Sequence, residues 1–281
     1  MPESRRETSA EAMGTIAQVR YPMKGVMWGA VSDRGKVRPL NEDSMLADPP
    51  LFAVADGMGG HAAGDVASHL AIETLSDLLR ADSISVQDVM EAVTTANRTI
   101  VDAAASEAGQ AGMGSTIAGL AMVSAGGSEH WMVFNVGDSR VYRMADGELS
   151  QLTIDHSEVQ ELVSSGKLTP AEARRYRRRN VVTRSLGSES ANAIDSWVFP
   201  PTAGERFMLC SDGLTEEVSV DDIQHVLQGI ADPQEAAESL VQRAIGAGGS
   251  DNVTVLVVDS GEVDDFDSDI DDTLPRWQHA L

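Results

Sequence analysis

The sequence is poor in the residues that usually build a dense core or an oxidised scaffold. Aromatics make up only 4% of its 281 residues, so aliphatic side chains must fill the interior. A single cysteine, Cys210, excludes an internal disulfide framework. It stands in the apolar run RFMLCSDG, where a small buried hydrophobe is expected. A thiol-based phosphatase loop would need an arginine six positions on, and Glu216 stands there. No apolar run approaches the roughly 18 residues that cross a bilayer. The N-terminal stretch MPESRRETSAEAMGTIAQVR has no apolar h-region. No membrane association is therefore expected, and a cytoplasmic location is. Basic residues are few as well: 21 Lys and Arg face 44 Asp and Glu, a formal net charge of −23. Nucleic acid is not expected as a partner, since phosphate backbones are bound with a basic surplus.

What is present is one continuous patterned region. Residues 1–22 are polar and weakly patterned and read as a flexible leader, and residues 261–281 as an acidic, disordered tail. Between them, residues 23–260 form one domain. Short runs rich in Val, Ile and Leu predict strands at 51–55, 116–123, 131–136, 140–144, 206–211 and 253–258. Helical periodicity marks 62–80, 86–108, 220–230 and 233–247. Strands cluster rather than alternate with helices, which favours an α+β arrangement of antiparallel sheet with helices outside. WMVFNVGDSRVYRM reads as a hairpin with a tight turn at Gly137-Asp138-Ser139.

Four of the apolar runs have an aspartate at one end. LFAVA meets Asp56-Gly57, FMLCS meets Asp212-Gly213, FNV meets Gly137-Asp138, and VTVLVV follows Asp251-Asn252. Asp-Gly is a common turn pair, so turn chemistry accounts for any one of them. It accounts less well for all four. Carboxylates gathered at converging strand ends would repel one another, and divalent cations would relieve that repulsion. An all-oxygen set suits Mg²⁺ or Mn²⁺, and two such ions could activate a water against a phosphoryl group. The glycines admit a rival: Gly57-x-Gly59-x-x-Ala62 loosely fits a dinucleotide fingerprint, with Asp77 about 20 residues on. Asp56 beside a pyrophosphate, and Asp77 inside a helical pattern, argue against it. The glycines are better explained by close backbone approach to an ion, with the Gly57 carbonyl as a ligand.

With Arg38-Pro39-Leu40-Asn41-Glu42-Asp43 upstream, the order RPLNED, VADGMGGHAAGD, GSTIAGL, NVGDSRVYR, LTIDHS, NVVTRSLG, LCSDGLTEEV and SDNVTVLVV resembles the bacterial branch of the PPM family, the metal-dependent type 2C protein serine/threonine phosphatases. The match covers roughly residues 24 to 259. The resemblance implies a four-layer αββα sandwich and two Mn²⁺ or Mg²⁺ ions in a cleft at the sheet edge. It implies that Asp56 bridges the two ions, that Gly57 lends its carbonyl to one, and that Asp212 and Asp251 hold the other. Glu42 and Asp43 match acids that bind metal-coordinated waters. Asp138, with Asp212, matches a third, weaker metal site, and Arg38 matches the arginine that grips the substrate phosphate. The implied reaction is hydrolysis of phosphoserine and phosphothreonine on proteins by a metal-bridging water, opposing a Hanks-type kinase. A non-enzymatic binding relative is disfavoured because every matched metal position keeps its acid. Where animal members have a histidine after the Asp-Gly, this chain has Met58. His61 is then a capping or packing residue in the first instance, His156 a structural one, and the general acid unassigned.

Two charged segments stand outside that pattern. Residues 174–179 contain five arginines, and Asp259 to Asp272 contain eight acids and no base. The arginines read either as a solvated helix end or as a contact for an acidic partner: a phosphoprotein segment or the chain's own tail.

Overall fold

The computed structural model of the chain describes residues 25–59, 63–106, 112–188 and 193–261. The leader at 1–22, the tail at 261–281 beyond its first residue, and His61 lie outside them. Eleven strands run in chain order: β1 (Met27–Asp33), β2 (Asp43–Asp48), β3 (Leu51–Met58), β4 (Gly114–Ser115), β5 (Ile117–Ala125), β6 (Ser128–Val136), β7 (Arg140–Ala145), β8 (Glu148–Gln151), β9 (Asp195–Phe199), β10 (Arg206–Cys210) and β11 (Val253–Asp259). The helices are α1 (Ala63–Ser76), α2 (Val86–Ser106), α3 (Glu158–Ser164), α4 (Pro170–Ala173), α5 (Asp212–Glu217), α6 (Val220–Gly229) and α7 (Pro233–Ala247).

The strands form two sheets, β1-β11-β10-β7-β8 and β2-β3-β5-β6-β9, with β4 attached to β3. Every ladder in them is antiparallel. Because successive strand residues point to opposite faces, each central strand feeds two cores. In β3, Phe52 and Val54 join the layer between the sheets, with Trp131, Phe207, Leu209, Leu256 and Val258. Leu51, Ala53 and Ala55 face the other way, onto a core shared with Ala67, Ala71, Leu75, Val93 and Ile100 of α1 and α2. In β11, Val253, Val255 and Val257 pack against α5, α6 and α7 through Leu214, Ile223, Leu240 and Val241. The result is helix, sheet, sheet, helix, the four layers expected.

One expectation is overturned. WMVFNVGDSRVYRM is not a hairpin, because β6 and β7 lie in different sheets. The turn at Gly137-Asp138-Ser139 is a corner that carries the chain from one sheet to the other. Gly137 adopts φ +116°, and a Cβ there would sit 2.6 Å from the Thr116 side chain, so the corner needs glycine twice over.

Candidate metal centre

The four aspartates and their neighbours meet at one end of the sandwich, where both sheets and three loops converge. Asp56 lies two residues inside the end of β3, and Asp43, the first residue of β2, is its partner in the register. The Asp56 backbone is clamped: its N–H donates to Thr116 Oγ1 at 2.9 Å, and its carbonyl accepts from Thr116 N at 2.8 Å and Ser115 Oγ at 3.0 Å. Asp43 is buried and reaches across to the opposite sheet. Its Oδ2 accepts from Ser211 Oγ at 2.8 Å and from Thr254 Oγ1 at 2.7 Å. Ser211 is the residue before Asp212, which opens α5 rather than a simple turn.

Asp251 lies just ahead of β11. Its Oδ2 accepts from Arg38 Nη2 at 2.6 Å, and its Oδ1 from Asn252 N at 2.8 Å. Asn252 organises the loop that carries Arg38. Its Nδ2 donates to the carbonyls of Arg34 and Leu40, both at 2.9 Å, and its Oδ1 accepts from Glu42 N at 2.8 Å. Asp138 sits at the sheet-crossing corner, which His156 holds from both sides: Gly137 N donates to His156 Nδ1 at 3.0 Å, and His156 N donates to the Gly137 carbonyl at 2.9 Å. His156 is therefore structural, as expected. Next to the corner, Arg140 is committed to Asp155 through two nitrogens, with contacts of 2.6 to 3.1 Å.

The first glycine of the DGMGG loop also makes a close contact within the protein itself. A Cβ on Gly57 would stand 2.0 Å from the Gly64 carbonyl oxygen and 2.6 Å from that of Glu42. Gly57 lets β3, the start of α1 and the Glu42 segment touch backbone to backbone, and Gly57 N donates to the Glu42 carbonyl at 3.1 Å. The dinucleotide alternative fails on topology. Among the described residues every strand ladder is antiparallel, and Asp77 opens a short 3₁₀ turn after α1 rather than ending a strand.

The electrostatics are those of crowded, buried acids. Burial, then the charges of Asp43, Asp212, Asp138 and Asp251, pushes Asp56 well above the ordinary carboxylate value. Burial, then Asp138, Glu216, Asp251 and Asp43, does the same to Asp212. Burial lifts Asp43 to about 6 against the pull of its Thr254 and Ser211 donors. Burial and the Asp155 charge lift Asp138 to about 6. Glu42 is raised chiefly by burial, with Arg38 opposing. Asp43 Oδ1 and Asp212 Oδ1 are buried without a hydrogen-bond partner. Buried carboxylate oxygens left in that state are costly. A hard cation with oxygen preference would satisfy them, so the residues present fit divalent ions. Among the described residues, no three Asp, Glu, His or Cys side chains already stand around one point as a closed cage. The acids form a looser cluster, in which Asp56 meets the charges of Asp43, Asp212, Asp138 and Asp251.

The eight residues singled out from the sequence, Arg38, Glu42, Asp43, Asp56, Gly57, Asp138, Asp212 and Asp251, are thus neighbours here. Missed were the residues that hold them: Ser211, Thr254, Asn252 and Thr116. Ser211 and Asn252 were signalled only by standing next to Asp212 and Asp251, in CSD and SDN, and Thr116 and Thr254 have no acid beside them.

A sandwich of two antiparallel sheets between helices, with acids from both sheets at one edge, defines a class of metal-dependent phosphatases. The family profile described as protein phosphatase 2C matches residues 40–244, and the chain belongs to that family. The serine/threonine protein phosphatase PstP of Mycobacterium tuberculosis is 41% identical over 241 residues, 84% of this chain but 45% of that protein. The chain thus spans under half the length of that relative. The serine/threonine phosphatase stp of Listeria monocytogenes is 37% identical over 240 residues, 81% of this chain and 93% of that one. A crystal structure of the Mycobacterium tuberculosis protein superposes with a TM-score of 0.79 at 39% identity, covering 84% of this chain and 99% of that one. A second PstP structure, described as the catalytic domain with two manganese ions, gives 0.77 at 38% identity and covers the same shares.

Proposed function

We propose that this protein hydrolyses phosphoserine and phosphothreonine esters on other proteins, with two Mn²⁺ or Mg²⁺ ions. The observation that carries this is the set of mutually repelling carboxylates from both sheets, two of them with a buried oxygen left without a donor. Family membership and the relatives' descriptions support it. Asp56, the Gly57 carbonyl, Asp212 and Asp251 would hold the two ions, Glu42 and Asp43 their waters, and Asp138 with Asp212 a third. When bound, such ions supply an activated water and neutralise the charge that develops on a transferring phosphoryl group.

The chain's own residues orient and exclude. Arg38 is about half exposed at the cleft mouth, paired to Asp251, and its planar fork suits the oxygens of a phosphate ester. The Thr116 and Ser115 clamp fixes Asp56, and the Asn252 bonds fix the Arg38–Glu42 loop, so both approach the phosphate from a rigid frame. No helix among the described residues is long and apolar enough to cross a membrane. Opposition to a Hanks-type kinase in the cytoplasm belongs to the same proposal, since such a kinase would generate the phosphoesters. The test is hydrolysis of phosphothreonine peptides with MnCl₂. EDTA is expected to abolish it, and Asp56→Asn or Asp212→Asn to lower kcat by several orders of magnitude. Undiminished turnover in EDTA would overturn the proposal.

A further inference from the structure

Five arginines lie within residues 174–179 of a chain whose net charge is −23. They follow α4, whose Thr169–Glu172 capping box closes its first turn. The segment is anchored rather than loose. Tyr176 OH donates to Glu158 Oε1 at 2.9 Å, and Arg178 pairs with Glu158 at 2.8 Å. Glu158 N donates to the Val181 carbonyl at 2.9 Å, and Thr183 N to the His156 carbonyl at 2.8 Å. Arg179 Nη2 stands 3.8 Å from Glu216 Oε1. Glu216 is four residues along α5 from Asp212, so it projects one helical turn away on the same face. The segment is therefore fixed beside the carboxylate cleft.

Two arginines make those attachments. The other three, Arg174, Arg175 and Arg177, are exposed, and none forms an ion pair among the described residues. A solvated helix end does not account for them, because α4 spans only four residues and the arginines follow it in turns. Three guanidinium groups without an ion pair, on a segment tied through Arg179 to Glu216 beside the acidic cleft, make a local field of opposite sign. They can contact chain that extends out of the cleft while the phosphorylated residue lies within it.

We propose that Arg174, Arg175 and Arg177 form a docking surface for acidic side chains of the phosphoprotein substrate, so that acidic phosphopeptides are preferred. This rests on the phosphatase reading above and names its substrate class. The chain's own acidic tail is the rival occupant. A substrate whose phosphorylated residue lies in the cleft must pass beside this segment, whereas β11 leads away from the cleft, from Val253 just past Asp251 to Asp259 at its far end.

The test uses the full chain and the variant Arg174→Gln/Arg175→Gln/Arg177→Gln, which leaves the Glu158 and Glu216 contacts intact. Two phosphothreonine peptides are compared, one flanked by Asp and Glu and one by Gln and Ala. Binding is read by fluorescence anisotropy in EDTA, and kcat/KM with Mn²⁺. The wild type is expected to favour the acidic peptide about tenfold through KM and Kd, and to lose most of that preference in 0.5 M salt. The variant is expected to lose it while hydrolysing p-nitrophenyl phosphate as before. Equal handling of the two peptides by the wild type, or an undiminished preference in the variant, overturns the assignment. A preference that emerges only after removal of residues 262–281 gives the surface to the tail and also overturns it. Absence of any turnover would sink the phosphatase reading and the substrate assignment with it, whereas turnover without a preference would sink this assignment alone.

Discussion

Asp138→Asn is expected to stabilise the metal-free protein at pH 7. Asp138 is buried, with 9% of its surface exposed. Burial and repulsion from Asp155 outweigh its own backbone N–H bond and the attraction of Arg140, so its carboxyl titrates near 6 rather than at the ordinary 3.8. A difference of roughly two pH units is worth about 3 kcal/mol at 1.36 kcal/mol per unit. That is an upper limit on what neutralisation returns, because asparagine loses the attraction to Arg140. About half of it, spread over a domain of this size at 2–4 °C per kcal/mol, gives a melting temperature raised by roughly 3–6 °C.

The sign can be followed with pH. The folded protein holds the Asp138 proton more tightly than the unfolded chain, so wild-type stability falls as pH rises from about 4 through about 6. The variant lacks that group. The two melting curves, measured by scanning fluorimetry in EDTA, should therefore coincide near pH 4, separate through pH 6 and run parallel above it. Mn²⁺ should raise the wild type more than the variant and narrow the gap. A variant that melts no higher than the wild type at pH 7 in EDTA, or a gap that persists at pH 4, would refute the claim that this acid is held against its preference.

Three further substitutions test the frame. Gly57→Ala places a Cβ 2.0 Å from the Gly64 carbonyl oxygen and should destabilise by about 3 kcal/mol or more in urea unfolding. Gly246→Ala in α7, with nothing within 4 Å, should stabilise by about 0.5–1 kcal/mol, and a similar effect of the two would undo the packing argument. His156→Ala removes the acceptor of the buried Gly137 N–H and is expected to cost about 2–4 kcal/mol. A loss well under 1 kcal/mol in the same assay would show that the corner holds without it.

The legible strands were those that lie inside the sheets. β3, β5, β6, β7, β10 and β11 are buried on both faces and read as apolar runs. β1, β2, β8 and β9 were not read, and they are the four margins of the two sheets. An edge strand buries one side at most, and β9 alternates between half-buried and exposed along its length, so no continuous run marks it. The hairpin error has a related cause. A tight turn between two apolar runs looks the same whether the second strand returns to its partner or crosses to another sheet, and contacts between Gly137 and Thr116, distant in sequence, decide it. The acids were legible because a charge at the end of a buried run is conspicuous, and because their order resembles a known family. Ser211, Thr254 and Asn252 were not, because hydroxyls and amides are common and their importance lies in which acid they meet.

What holds the acids together also explains why they need a cation. Asp43 is fixed by two hydroxyls from the opposite sheet, and Asp56 by backbone bonds around its own peptide. Neither anchor brings a positive charge. Of the two arginines nearest the cluster, Arg140 is committed to Asp155, and Arg38 stands half exposed against Asp251 alone. Polar anchors position a carboxylate but offset little of its repulsion from another carboxylate. The frame therefore stores unfavourable charge that protonation or a bound cation relieves, and the energy of relief by the cation is also folding energy. Because the Asp43 anchors span the two sheets, that energy acts across the sandwich as well as within the cleft. Adding metal should therefore protect the amides of β2, β10 and β11 from hydrogen exchange, and not only those of the loops.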